Sequence, residues 1–390
     1  MLTESETSGA GPAGPARDIP AAPGRRKRLL VLAQYFPVTS GGAEYQVYCL
    51  ARYLRSRMDV HYLCMADGAL ASAEPDIRIS TVRSRDRWKR ILGPCRVLDY
   101  FRVMKVLRRL HPDFIYERGA SVYLGIAARY ARRSGCTLIC HIASERNVQR
   151  RWYRSFRTVL FDHLDRWMSE YGLRHTRYIF GQAQYQDRLL RRNFDRKCDL
   201  IVGNWHPEPA GLCAKVPPIK IVWIANIKPL KKPEIFADLA EELEDVPGVE
   251  FLMIGRRASR KYQRGLDARL GRVRNLRYLG EQPLEEVNRI LAGAHLLVNT
   301  SDYEGFPNTF IQAWLHEVPI ISLRVDPDDI LAREGLGFRS GGFDQLVRDT
   351  RHLIENADLR TRMGTRARAY ALEKHSLTKN LERVAEFLGI

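Results

Sequence analysis

Short apolar runs alternate with amphipathic stretches along most of the chain, beginning at Arg28–Gln34 (RLLVLAQ). A run that is apolar throughout but too short for a helix reads as a strand buried on both faces. On that rule strands are predicted at 28–34, 59–64, 113–116, 136–141, 177–180 and 199–203. Helical periodicity lies between them at 43–57, 94–110, 121–133, 155–172 and 183–193. Strand, helix, strand at this spacing gives βαβ units and a parallel sheet.

The rhythm breaks at Trp205–Pro218 (WHPEPAGLCAKVPP), where prolines cluster and periodicity fades, as expected of a connecting segment. It then resumes. Strands are predicted at 219–225, 250–255, 276–279, 295–299 and 319–323, and helices at 233–244, 258–270, 284–292, 309–316 and 343–355. Two more helices, 357–373 and 376–389, close the chain, with Ser376 placed to cap the last.

The predicted plan is α/β, with two doubly wound, Rossmann-like domains. Residues 27–204 form the first, 205–218 the linker, 219–374 the second, and 375–390 a closing helix. A chain of 390 residues is too long for one core and comfortable for two. Residues 1–26 are rich in Gly, Pro, Ala and Ser, and a disordered tail is expected there. Ligands of such sheets bind beyond the carboxyl ends of the strands, so the loops just after strands hold the candidates.

Composition narrows the partners. The net charge is +18 and the pI about 9.8, which calls for an anion: nucleic acid, an acidic membrane surface or a phosphorylated substrate. Basic runs without an aromatic platform argue against nucleic acid. Seven cysteines without C-x-x-C or zinc-ligand spacing suit a reducing cytoplasm. No apolar run reaches the ~20 residues needed to span a bilayer, so any membrane contact is expected to be peripheral.

Four strand-end loops carry chemistry. Gly41 and Gly42, in YFPVTSGGAE, open a helix with bare backbone amides, a setting for phosphate or carboxylate. Asn226, Lys228 and Lys231, in ANIKPLKKP, follow the first strand of the second half, where lysines could neutralise a diphosphate. His141 ends the strand Thr137–His141. Finally Glu304, Gly305, Phe306, Pro307, Asn308, Thr309 and Gln312 run from a strand into a helix. There a carboxylate can accept two hydroxyl hydrogen bonds and Pro307 suits a first helical turn.

GGAE after the first strand, a lysine loop opening the second half, and E-G-F-P-N followed by an apolar helix and V-P-I-I-S occur in that order. Together they resemble glycosyltransferase family 4, over about residues 28–375 and best over 219–325. The resemblance implies a GT-B fold, two Rossmann-like domains facing across a cleft, and a retaining enzyme. Its donor would be a UDP- or GDP-sugar and its acceptor a glycan or lipid-linked molecule.

The same resemblance implies catalytic roles for Glu304, Lys231 and His141. Glu304 would hold donor-sugar hydroxyls, Lys231 the leaving diphosphate, and the amides of Phe306, Asn308 and Thr309 would lie against sugar and diphosphate. Three departures stand out: Gln312 for the second Glu of E-x7-E, Asn226 where Arg is frequent, and Glu317 for the Gly of a G-V-P turn. The first two keep a catalytically degenerate partner subunit as an alternative, and a sugar-nucleotide epimerase or hydrolase of the same fold is the other rival.

No Asp-x-Asp motif follows a strand in a matching context, so no metal or other cofactor is expected. Front-face attack, with the leaving phosphate taking the acceptor's proton, is the default route. Arginine clusters in the first half, Arg150, Arg151 and Arg154 among them, suit a charged acceptor or an anionic membrane surface.

Overall fold

A computed structural model describes residues 25–390 apart from 37, 39, 40, 67, 69, 73, 84–95, 150–158 and 258. Residues 1–24 of the expected tail and the trio Arg150, Arg151 and Arg154 lie outside the described residues.

The first sheet comprises β1 (Arg28–Leu32), β2 (Asp59–Met65), β3 (Ile77–Val82), β4 (Phe114–Arg118), β5 (Thr137–His141), β6 (Tyr178–Gly181) and β7 (Leu200–Ile201). All pair in parallel, in the order β3-β2-β1-β4-β5-β6-β7. The second comprises β8 (Ile219–Ile224), β9 (Val249–Ile254), β10 (Leu276–Tyr278), β11 (Leu296–Asn299), β12 (Ile320–Ser322) and β13 (Gly337–Arg339). It is also parallel, in the order β10-β9-β8-β11-β12-β13.

The described α-helices of the first half are α1 (Gly42–Leu54), α2 (Tyr100–Leu110), α3 (Val122–Ser134), α4 (Val159–His175) and α5 (Gln184–Phe194). Those of the second are α6 (Pro233–Glu242), α7 (Arg260–Leu270), α8 (Leu284–Ala292), α9 (Asn308–Leu315), α10 (Ile330–Arg333), α11 (Phe343–Glu355), α12 (Ala357–Lys374) and α13 (Leu377–Leu388). Each sheet carries apolar clusters on both faces, which is why its central strands are apolar without interruption.

Two strands escape the run-of-apolar rule. β3 (IRISTV) lies at a sheet edge and alternates apolar with polar, so it shows no continuous run. β13 has three residues, too few to register. Both are edges, where only one neighbour constrains composition.

The connecting segment is partly core. Trp205 is fully buried in the cluster under β1, its indole N–H donating to the Gln46 carbonyl in α1 at 3.1 Å. α13 packs Leu381, Val384 and Ala385 into that same cluster, so the chain's end lies on the first sheet. Ser376 occupies the cap position of α13, but its side chain makes no capping hydrogen bond. The backbone of His206 pairs there instead, donating to His375 O and accepting from Leu377 N.

Candidate active site

At the carboxyl edge of the second sheet, β8 runs into the lysine loop and β11 into the loop bearing Glu304. Thr300 stitches the two together. Its hydroxyl lies 2.7 Å from the Lys231 carbonyl and accepts from the Trp223 indole at 2.8 Å. This seats Lys231 against the Glu304 carboxylate as an ion pair, and the Ser301 hydroxyl donates to the same oxygen at 2.9 Å. Lys232 pairs with Asp302 at 2.8 Å. Lys228 is exposed and holds no carboxylate among the described residues. Asn226 is half-buried in the same loop.

The segment Gly305–Asn308 lies against the first domain. A Cβ at Gly305 would run into the Ala143 carbonyl, so glycine is required by close approach. The Tyr185 hydroxyl donates to Gly305 O at 3.1 Å, and Asn204 Nδ2 donates to Phe306 O at 2.9 Å and to Asn308 Oδ1 at 2.7 Å. One expectation needs correction: the Phe306 amide is committed to Gln182 Oε1 at 3.1 Å rather than bare. Pro307 is also shifted, to the cap position before α9 rather than its first turn. Asn308 and Thr309 then open the helix, where backbone N–H groups have no intrahelical acceptor.

Gly41 and Gly42 are not at positive φ. A Cβ on Gly42 would displace the end of the Asn308 side chain, so the N-termini of α1 and α9 meet across the seam. A Cβ on Gly41 would meet only the end of the Glu44 side chain.

His141 ends β5 on the first-domain side of the seam. It is fully buried, with Tyr116 Oη 2.7 Å and Arg118 NH1 3.1 Å from its Nδ1, both as donors. Burial and the Arg118 charge push its pKa well below the ordinary histidine value, so the ring is neutral. Among its recorded contacts Arg118 NH1 donates to His141 Nδ1, and Arg118 NH2 donates to Asn204 Oδ1. A second tie lies beside it. Asp328 of the second domain accepts from the first amides of α5, Gln184 N at 2.6 Å and Tyr185 N at 2.8 Å. It thus caps a helix of the first domain.

Gln312 lies one turn into α9, donating to Asn288 Oδ1 at 3.2 Å. It lines a cavity of about 470 Å³ between α1 and α8–α9, with Tyr45, Arg52, His206 and Asn288. Arg146, from the loop after β5, stacks on the Tyr303 ring at 4.0 Å, next to Glu304.

Two family models match the chain. Residues 40–202 fit Glycosyltransferase Family 4 and residues 218–356 fit Glycosyl transferases group 1, together more than three quarters of the sequence. The chain is a group 1, family 4 type glycosyltransferase.

Solved structures agree on the fold. HepE of Anabaena, in complex with UDP and glucose, superimposes with a TM-score of 0.69 at 16% identity, covering 93% of this chain and 99% of that one. Sucrose-phosphate synthase of Thermosynechococcus elongatus gives 0.75 at 12%, covering 93% and 98%. A glycosyltransferase of Rickettsia africae gives 0.67 at 13%, covering 93% and 99%. At such identities the likeness establishes the two-domain GT-B architecture.

Within this glycosyltransferase the seam residues Gln182, Asn204 and Asp328 went unread in the sequence. A Gln, an Asn and an Asp in separate loops carry no spacing signal. Arg118 carried one, as an arginine ending a buried strand, where a charge is out of place.

Proposed function

We propose that the enzyme moves a hexose-type sugar from a UDP- or GDP-sugar to a glycan or lipid-linked acceptor, with retention at the anomeric carbon. The observation that carries the reading is the Lys231–Glu304 pair, fixed at the strand ends beside the open N-terminus of α9. A nucleotide sugar presents both partners such a pair lacks: an anionic diphosphate for the lysine and hydroxyls for the carboxylate. That UDP and glucose occupy the HepE structure is consistent with it.

In this scheme the bond between the anomeric carbon and the phosphate oxygen breaks, its electron pair leaving with the diphosphate. Lys231 and the amides of Asn308 and Thr309 stabilise that charge. Glu304 holds the sugar's hydroxyls so that the anomeric carbon faces the acceptor. The acceptor oxygen attacks from the same face and passes its proton to the departing phosphate. Gln312 bonds a ribose hydroxyl as a neutral amide, without the charge assistance a carboxylate would give. The basic first half adds a peripheral station at an anionic membrane surface, which salt near ~1 M should release as screening shortens to ~3 Å.

Thermal-shift titration with UDP- and GDP-sugars, followed by NMR of the anomeric proton in the product, tests the reading. A donor that raises the melting temperature and a product of unchanged anomeric configuration support it. Free sugar without transfer would point to a hydrolase. An inverted product would end the retaining assignment.

A further inference from the structure

Arg118 plays no part in the transfer scheme, yet its setting asks for an anion. It ends β4 at the seam between the domains. Two of its nitrogens meet neutral acceptors, His141 Nδ1 at 3.1 Å and Asn204 Oδ1, while Nε is enclosed with no partner. No carboxylate among the described residues pairs with it, and Glu44 in the first turn of α1 acts on it only through space. The sequence neighbour Glu117 cannot serve, because successive residues of a strand point to opposite faces of the sheet. A partly buried guanidinium whose Nε is enclosed and whose recorded partners are all neutral is better satisfied when an anion meets it.

The surroundings favour the same ligand. α1, opening at Gly42, and α9, opening at Asn308, bring their N-termini into contact beside Arg118. Asn204 links Arg118 to the start of α9, accepting from Arg118 and donating to Asn308 Oδ1. Two positive helix ends and one guanidinium without a charged partner thus converge at the seam between the domains.

We propose that Arg118 is an anion-binding residue of the cleft, serving a phosphate group, and that it supplies from the first domain the cation missing at Asn226 in the second. The assignment rests on the transfer reading above. The phosphate could belong to the donor's diphosphate or to a phosphorylated acceptor, and the assay separates them.

Calorimetry would compare UDP with uridine and GDP with guanosine, on wild type, Arg118→Gln and Arg118→Lys. Gln keeps a polar side chain in the seam without charge; Lys keeps the charge. For a donor phosphate, Arg118→Gln should weaken the diphosphate by at least about 10-fold and leave the nucleoside unchanged, with Arg118→Lys in between. For an acceptor phosphate, the diphosphate-to-nucleoside ratio should hold while binding of glucose 6-phosphate to the UDP complex drops by a similar factor.

Adding Asn226→Arg to Arg118→Gln should restore diphosphate affinity in the first case. Ligand-free melting curves guard against a folding defect, and if Arg118→Gln does not fold, Arg118→Lys against wild type carries the same ratio. If neither phosphate distinguishes the variants from wild type, the assignment is wrong. If wild type binds no nucleotide, the transfer reading fails by itself, and the glucose 6-phosphate arm on the free protein still decides Arg118.

Discussion

The carboxyl edges of the two sheets both hold an acid and a base, and they treat them in opposite ways. In the second sheet Lys231 and Glu304, far apart in sequence, are brought into an ion pair. In the first, Glu117 and Arg118 are neighbours in β4 and do not pair. Strand pleating turns Glu117 into the cluster that holds Ile115 and Arg118 toward the side that holds Tyr116. Glu117 is left with the Ser121 hydroxyl at 2.5 Å, and burial pushes its pKa up to about 8. An adjacent acid and base in a strand are therefore a poor forecast of a pair. Loops converging from different strands are a better one.

The strongest way to break this contrast is to remove the paired base. Lys231→Ala should lower turnover on the order of 10²- to 10³-fold, as for the loss of one preorganised charge donor. Single-turnover kinetics with saturating donor would show it. If the exposed Lys228 proved costlier to remove, the pair would be a structural tie and the diphosphate site would lie further along the loop.

Glu304→Gln should cost roughly 10²-fold in turnover while keeping the fold, because the amide retains hydrogen bonds but not charge assistance. Unchanged turnover would take Glu304 out of the site.

On the other sheet the test is pH. The folded protein keeps Glu117 protonated between its ordinary value of 4.5 and about 8, whereas the unfolded chain releases that proton. The native state then binds more protons, so stability should fall as pH rises through that window, by at most about 1.4 kcal/mol per pH unit. Glu117→Gln, which copies the neutral acid, should change the melting temperature little near pH 4.5 and raise it progressively toward pH 8. A constant offset across that range would mean that Glu117 is ionised in the fold.

The smallest effect concerns a residue at neither edge. Glu317 adopts φ +57°, a left-handed conformation that disfavours side chains, at the turn where the resembling family has glycine. Gly364 packs on its carbonyl, and Lys215 Nζ donates to that oxygen at 2.5 Å. Glu317→Gly should stabilise the protein by up to about 1 kcal/mol, read from urea unfolding, with turnover unaltered.

Much of the architecture was legible before any coordinates. Buried parallel strands must be apolar on both faces, so the pattern of RLLVL, TLICH and IKIVWI located the central strands of both sheets. It missed β3 and β13, whose edge positions relax that demand. The E-G-F-P-N loop was legible for a related reason: a strand-to-helix turn with its glycine is a local object, written in consecutive residues.

Distance erased the rest. His141 was singled out because it ends a strand, but only the assembled fold sets its neighbours, here Arg118, Phe180 and Trp205. The setting of Gly42 was equally hidden, since the side-chain end that a Cβ there would displace belongs to Asn308, more than 260 residues away. The sequence by itself determined which segments are strands, which are helices and which loops carry charge, because those follow from local periodicity. Which charges meet, which are left without a partner, and which amides remain free were decided by the convergence of loops from separate strands and by the contact of one domain with the other, which no local pattern encodes.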